Sequence, residues 1–159
     1  MGSRGAGSGR NSGITKGMTP SEEQNLHDLA MASLVWRDDS AGTNVTTEEE
    51  RKQYRLDWKS GGVEFEKAQY DTLKTVAERN NIADEFKFDE VRAQVKTTDG
   101  RFRIMGDDYA LARGNDARKW IVNEIDTASK EFYKPTIEQN RFSTPQQALA
   151  FVVDKRKKK

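Results

Sequence analysis

Val91-Arg92-Ala93-Gln94-Val95-Lys96-Thr97-Thr98-Asp99-Gly100-Arg101-Phe102-Arg103-Ile104 is the stretch on which the fold turns. Asp-Gly between two alternating runs is a strong signal for a two-residue hairpin turn. Folding the chain about Asp99-Gly100 sets Thr97 opposite Phe102, Lys96 opposite Arg103 and Val95 opposite Ile104. In that register the apolar residues, Val91, Ala93 and Val95 with Phe102 and Ile104, share one side, as a hairpin covering a core requires. The reading predicts a β-hairpin over 88–106, and residues 108–113, with Tyr109 and Leu111, are expected to add a third strand.

Helical signals lie on both sides of the hairpin. Thr19-Pro20-Ser21-Glu22 offers a cap, a proline at the first helical position and a glutamate able to reach back. Leu26, Leu29, Ala30, Ser33 and Leu34 then follow a helical period to about Trp36. A second start at Thr46-Thr47-Glu48-Glu49-Glu50 predicts helix to about Trp58, although Tyr54, Leu56 and Trp58 alternate as a strand would, so 46–62 can be read either way. From 63 to 80, Phe65, Ala68, Leu73, Val76 and Ala77 keep a helical period that Asn80-Asn81 closes. After Gly114, Ala117, Ile121, Ile125, Ala128 and Phe132 form one stripe, read as a helix ending before Pro135. Thr144-Pro145-Gln146-Gln147 opens the last helix, which runs through Leu149, Val152 and Val153 into five terminal bases. The expected fold class is therefore α+β, with about five helices packed on a small antiparallel sheet.

Composition frames this body. Of 159 residues, 34% are apolar and 33% charged, a polar balance that points to a folded domain with flexible ends. Residues 1–18 are rich in Gly, Ser and Arg and carry +3, and residues 154–159 carry +4, so a net charge of +1 leaves the intervening chain at −6. The expected organisation is a disordered basic arm over 1–18, a single α+β domain over 19–153 and a polybasic tail over 154–159. No run nears the roughly 20 apolar residues of a membrane span, so no membrane partner is expected. There is no apolar stretch after the first basic residues and no cysteine, which points to the cytoplasm and removes disulfide and thiol chemistry.

Candidate chemistry is sparse. His27 is the only histidine, too few for most catalytic zinc sites. The acidic pairs Asp38-Asp39, Asp84-Glu85, Asp89-Glu90 and Asp107-Asp108 are adjacent residues, which point different ways and do not converge on a metal; Asp107-Asp108, just after the hairpin, is the best placed of them. No glycine motif cradles a phosphate, so no cofactor is expected, and the chain reads as non-enzymatic, with an enzyme built on scattered carboxylates as a third alternative. What stands out is the polar side of the hairpin. Arg92, Lys96, Arg101 and Arg103 place four cations on one ribbon face within a net-acidic body. Such a ribbon can track phosphates, and Lys155, Arg156, Lys157, Lys158 and Lys159 add a second cationic element. The leading expectation is contact with DNA or RNA through these residues. The alternative is a protein-interaction module anchored by Trp36, Trp58 or Trp120.

The opening Met1-Gly2-Ser3-Arg4-Gly5-Ala6-Gly7-Ser8-Gly9 resembles the Gly/Ser/Arg-rich start of small, mostly uncharacterised proteins of bacterial phages and integrated mobile elements. The resemblance spans about a dozen low-complexity residues. It implies a phage or prophage setting and carries over no site residue.

Overall fold

The computed structural model describes residues 14–40, 48–49, 63–113, 118–132 and 134–157. The capping chemistry at Thr19 forms as its residue types dictate: Thr19 Oγ1 accepts the Glu22 amide at 3.2 Å and Glu22 Oε1 accepts the Thr19 amide at 2.8 Å. Helix α1 follows over Pro20–Ser40, longer than expected, and buries Leu26, Ala30 and Ser33. Helix α2, Glu64–Arg79, buries Phe65, Leu73, Val76 and Ala77 as the periodicity predicts. Asn81 closes it at φ 59°, a left-handed conformation that asparagine tolerates. Of the helix expected over 46–58, only Glu48 and Glu49 are described, and both are helical.

Five strands follow, paired antiparallel in chain order: β1 Phe86–Asp89, β2 Gln94–Thr97, β3 Phe102–Gly106, β4 Trp120–Ile125 and β5 Thr136–Phe142. Between β3 and β4 lies the short helix α3, Asp108–Arg113, and after β5 comes α4, Pro145–Lys157. The hairpin register holds, with Val95 opposite Ile104 and Lys96 opposite Arg103. Gly100, at φ +75°, donates its amide to Thr97 O at 2.9 Å to close the turn.

Helices α2 and α4 pack on one face of the sheet, and the core lies between. Phe86, Val95, Phe102, Ile104, Trp120 and Val122 meet Leu73, Val76, Leu149 and Val152 there, all 5% exposed or less. Each such side chain contributes about 1.5–3 kcal/mol by leaving water. Helix α1 packs on α2 and α3. Gln69 on α2 adds polar ties, donating to Ala93 O (3.2 Å) and accepting the Gly106 amide (3.1 Å). Near the amino end, Ile14 and Met18 pack against the core, and Lys16 exchanges backbone hydrogen bonds with the Asn80 side chain.

The α+β class stands, but the sheet is larger than expected and, among the described residues, the α-helices number four. Where a helix was expected after Gly114, the described residues 118–132 form strand β4 and a turn instead. Trp120 and Val122 alternate with Ile121 and Asn123, so Ile121 and Ile125, placed on one helical stripe by their spacing, lie on the sheet face away from α2 and α4, where Ile121 is still buried and Ile125 half-buried. The turn at Asp126–Ser129 breaks the stripe, and Phe132 is 89% exposed. The expected third strand over 108–113 is α3, because Asp107 Oδ1 accepts the Tyr109 and Ala110 amides and caps a helix. The hairpin's first strand starts late. Val91, expected on the apolar side, sits 96% exposed in the β1–β2 turn, which Ala93 closes at φ 51°. No helix among the described residues is long and apolar enough to cross a membrane.

Candidate functional site

Direct cross-strand partners share a face, so the registers can be followed across the whole sheet. Lys87 stands opposite Lys96, Lys96 opposite Arg103, Arg103 opposite Asn123 and Asn123 opposite Gln139. The five residues form one row across all five strands, on the face turned away from α2 and α4. At about 4.8 Å per strand the row is about 19 Å long. Its β1–β3 half is cationic and its β4–β5 half is a pair of amides, joined by a hydrogen bond from Gln139 Nε2 to Asn123 Oδ1 at 3.0 Å.

Lys87 and Lys96 are exposed and Arg103 half-buried. None of the three forms an ion pair among the described residues. The Arg103 Nε is also buried without a hydrogen-bond partner among the described residues, an unsatisfied donor on a charged group. Like charges directly opposite cost about 0.2–1 kcal/mol per pair, and this row contains two such pairs in sequence, Lys87–Lys96 and Lys96–Arg103.

The other cations expected in the interface are engaged elsewhere. Arg92 lies in the β1–β2 turn, mostly exposed, 3.6 Å from Asp89. The Arg101 guanidinium stacks over Phe102, 4.8 Å from the ring centroid, and its Nε pairs with Glu124 at 3.0 Å. Phe102 belongs to the core face, so Arg101 turns to the core-side rim, away from Arg103. Arg156 bridges Glu85 (2.7 Å) and Asp99 (3.2 Å) and reaches Thr98 Oγ1. Burial alone would raise the Asp99 carboxyl. The Thr97 hydroxyl, the Arg101 amide and Arg156 offset it and hold that group below its ordinary value. Lys155 lies over the Phe151 ring and Lys157 is exposed at the end of α4. Lys158 and Lys159 fall outside the described residues.

The structure thus brings together Lys96 and Arg103 from the expected set, and adds Lys87, Asn123 and Gln139. Those three were missed because β1, β4 and β5 were not recognised as strands. The alternation Phe86-Lys87-Phe88 carried a signal for β1, whereas the polar run between Ile137 and Phe142 carries none for β5.

The alternatives fare differently. Asp107 is taken up in capping α3 and in pairing with Arg141 at 2.8 Å, and Asp108 accepts the Ser33 hydroxyl at 2.7 Å. His27 Nδ1 donates to Leu111 O at 3.0 Å, joining α1 to α3. Among the described residues no three carboxylates or imidazoles gather to hold a metal ion. Trp120 is fully buried, so it anchors the core and not a partner. The Trp36 side chain and Trp58 lie outside the described residues. Neither a family model, nor a curated protein, nor a solved structure matches this chain.

Proposed function

We propose that this protein is a non-enzymatic accessory protein that binds nucleic acid by its phosphate backbone across the outer face of the sheet. The observation that carries the reading is the run Lys87–Lys96–Arg103, three cations in direct cross-strand register with no carboxylate paired to any of them among the described residues. The like-charge contacts raise the energy of the unbound protein, and phosphate oxygens relieve them.

No strand position on this face is aromatic among the described residues, so the face lacks the stacking platforms of base-reading sheets. Contact is therefore with phosphates, largely indifferent to sequence. Arg92 at the hairpin edge and Lys155, Lys157, Lys158 and Lys159 at the chain end add to the attraction without positioning it. A phage or mobile-element setting, drawn from the amino-terminal resemblance, fits such a role and belongs to the same proposal.

The test is fluorescence anisotropy with 20-nucleotide single strands and duplexes of DNA and RNA over 50–200 mM salt. Three phosphate contacts predict a log–log salt slope of about −2 to −3. Replacing Lys87, Lys96 and Arg103 together with Gln should abolish most binding and flatten that slope. Replacing Lys157, Lys158 and Lys159 should shift affinity only slightly. Binding that survives the triple change on the sheet, or no binding to any of the four ligands at 50 mM salt, rejects the reading.

A further inference from the structure

At the β1 end of the sheet the outer face holds a cavity of about 290 Å³. Among the described residues it is lined by Lys87, Asp89, Arg92, Gln94 and Lys96 and by the turn at 97–100. The strand register sets out this wall. Lys87 stands opposite Lys96 and Asp89 opposite Gln94, while Phe88 and Val95 between them turn to the core. Two cross-strand pairs therefore share the outer face, two residues or about 6.7 Å apart along the strands. One pair is cationic. The other sets a carboxylate beside an amide.

Asp89 Oδ1 accepts the Arg92 amide at 3.1 Å, and Arg92 Nη1 stands 3.6 Å from Oδ2, beyond hydrogen-bond length. Oδ2 therefore keeps lone pairs for an incoming donor. The Gln94 amide is half-buried and makes no hydrogen bond among the described residues. Asp99, the other carboxylate of the cavity, is taken up by the Thr97 hydroxyl, the Arg101 amide and Arg156. Open to a ligand are thus two ammonium groups, one carboxylate oxygen and one amide. The ammonium pair suits a phosphate. The carboxylate oxygen repels a second phosphate and takes a hydroxyl, which donates. A nucleotide of RNA carries a phosphate and a 2′-hydroxyl on one sugar, and DNA lacks that hydroxyl.

We propose that this cavity seats one ribonucleotide of a bound strand and so selects RNA over DNA. Lys87 and Lys96 hold the phosphate, the 2′-hydroxyl donates to Asp89 Oδ2, and the Gln94 amide donates to the hydroxyl oxygen. The inference rests on the nucleic-acid reading of the same face and adds the class of nucleic acid. A cavity of about 290 Å³ is at the small end for a ligand site, enough for a sugar and its phosphate. No aromatic side chain lines it among the described residues, so the base stays outside and the preference for RNA is independent of sequence. A DNA strand brings the phosphate alone and leaves the carboxylate oxygen without a donor.

Fluorescence anisotropy with the full chain tests it, using single strands of about 20 nucleotides and one sequence at about 50 mM salt. The strands are RNA, DNA and RNA with 2′-fluoro sugars, which keep the RNA sugar pucker and carry no hydroxyl. RNA should bind about tenfold more tightly than DNA, and the 2′-fluoro strand should bind as DNA does. Asp89→Asn keeps an oxygen for the Arg92 amide and puts an NH₂ group where Oδ2 was. It should bring RNA to within about twofold of DNA, with circular dichroism unchanged. Gln94→Met, which leaves the turn bond alone, should narrow the ratio in the same direction. A carboxylate acting only through its charge would, once removed, raise RNA and DNA affinity together. An RNA-to-DNA ratio unmoved by both substitutions therefore overturns the proposal. So does 2′-fluoro RNA that binds as tightly as RNA, or a wild-type chain that binds DNA and RNA equally. Each of these three outcomes leaves the phosphate reading standing, whereas no binding to any strand overturns both.

Discussion

The two faces of one sheet differ in charge, although each has buried positions, Ile121 and Asn123 on the face away from α2 and α4 among them. Beneath α2 and α4, Phe102, Ile104, Trp120 and Val122 are closed from water and held by packing. On the other face, one residue along each strand, Lys87, Lys96 and Arg103 are set against one another without a carboxylate paired among the described residues. Elsewhere in the fold, arginines are paired. Arg79 meets Glu22, Arg101 meets Glu124, Arg141 meets Asp107 and Arg156 meets Glu85 and Asp99. Cations that tie elements together are therefore paired, while those along one row have no paired carboxylate among the described residues. A face selected only for solubility would mix its charges as the rim does. Under the nucleic-acid proposal, this row is where a phosphate would sit.

The contrast between the faces is open to attack in order of effect. Trp120→Ala should cost about 3–5 kcal/mol, measured by urea denaturation, since its fully buried ring has no route to water. A loss below about 1 kcal/mol would mean that this face is not the core. Next comes the rim. Arg156→Met should cost about 1–2 kcal/mol, because one guanidinium holds α4 to Glu85, Thr98 and Asp99 at once. If Arg156 were instead a nucleic-acid contact, the same change would weaken binding and leave stability alone.

On the bare row the sign reverses. Lys96→Thr removes the charge that opposes both Lys87 and Arg103, so it should stabilise the protein by about 0.2–1 kcal/mol while weakening nucleic-acid binding. Stability lost there would show that the row is a structural network. The smallest effect is at Glu22. The Arg79 guanidinium beside it, with the Thr19 amide, lowers its carboxyl from 4.5 to about 2. A carboxyl lowered on folding contributes stability that is present above pH 4.5 and lost as the pH falls through about 2. Carbon-detected titration of Glu22 should show the low midpoint, and Arg79→Gln should move it back up toward 4.5.

What the sequence made legible follows from how local each signal is. The two capping boxes, at Thr19 and Thr144, depend on residues three apart and form as expected. The Asp99-Gly100 turn is equally local, and with it came Lys96 opposite Arg103, two members of the candidate site. Strand β4 was hidden because Ile121 and Ile125 sit four apart, which fits a helix, while the alternation of Trp120 and Val122 with Ile121 and Asn123 fits a strand. Tertiary pairing with β3 and β5 decides between them. Arg101 misled for a similar reason. Alternation places it beside Arg103, but Phe102 and Glu124 draw its long side chain around the end of the sheet. Lys87 joins the row across a short turn, nine residues from Lys96, and Gln139 joins it only through β4, a strand that the helical spacing concealed.

Gln69 has a kinetic meaning beyond its place in the packing. The Gly106 amide at the end of β3 gives its hydrogen to Gln69 Oε1, an acceptor on a helix and not on a neighbouring strand. Fraying of the sheet edge leaves that bond in place, whereas lifting α2 from the sheet breaks it. The deuterium exchange rate of this one amide therefore reports how often helix and sheet part company while the strands stay paired. If Gly106 exchanges at the rate of its β3 neighbours, α2 and the sheet open as one cooperative unit. If it exchanges faster, the helix layer has a breathing motion of its own.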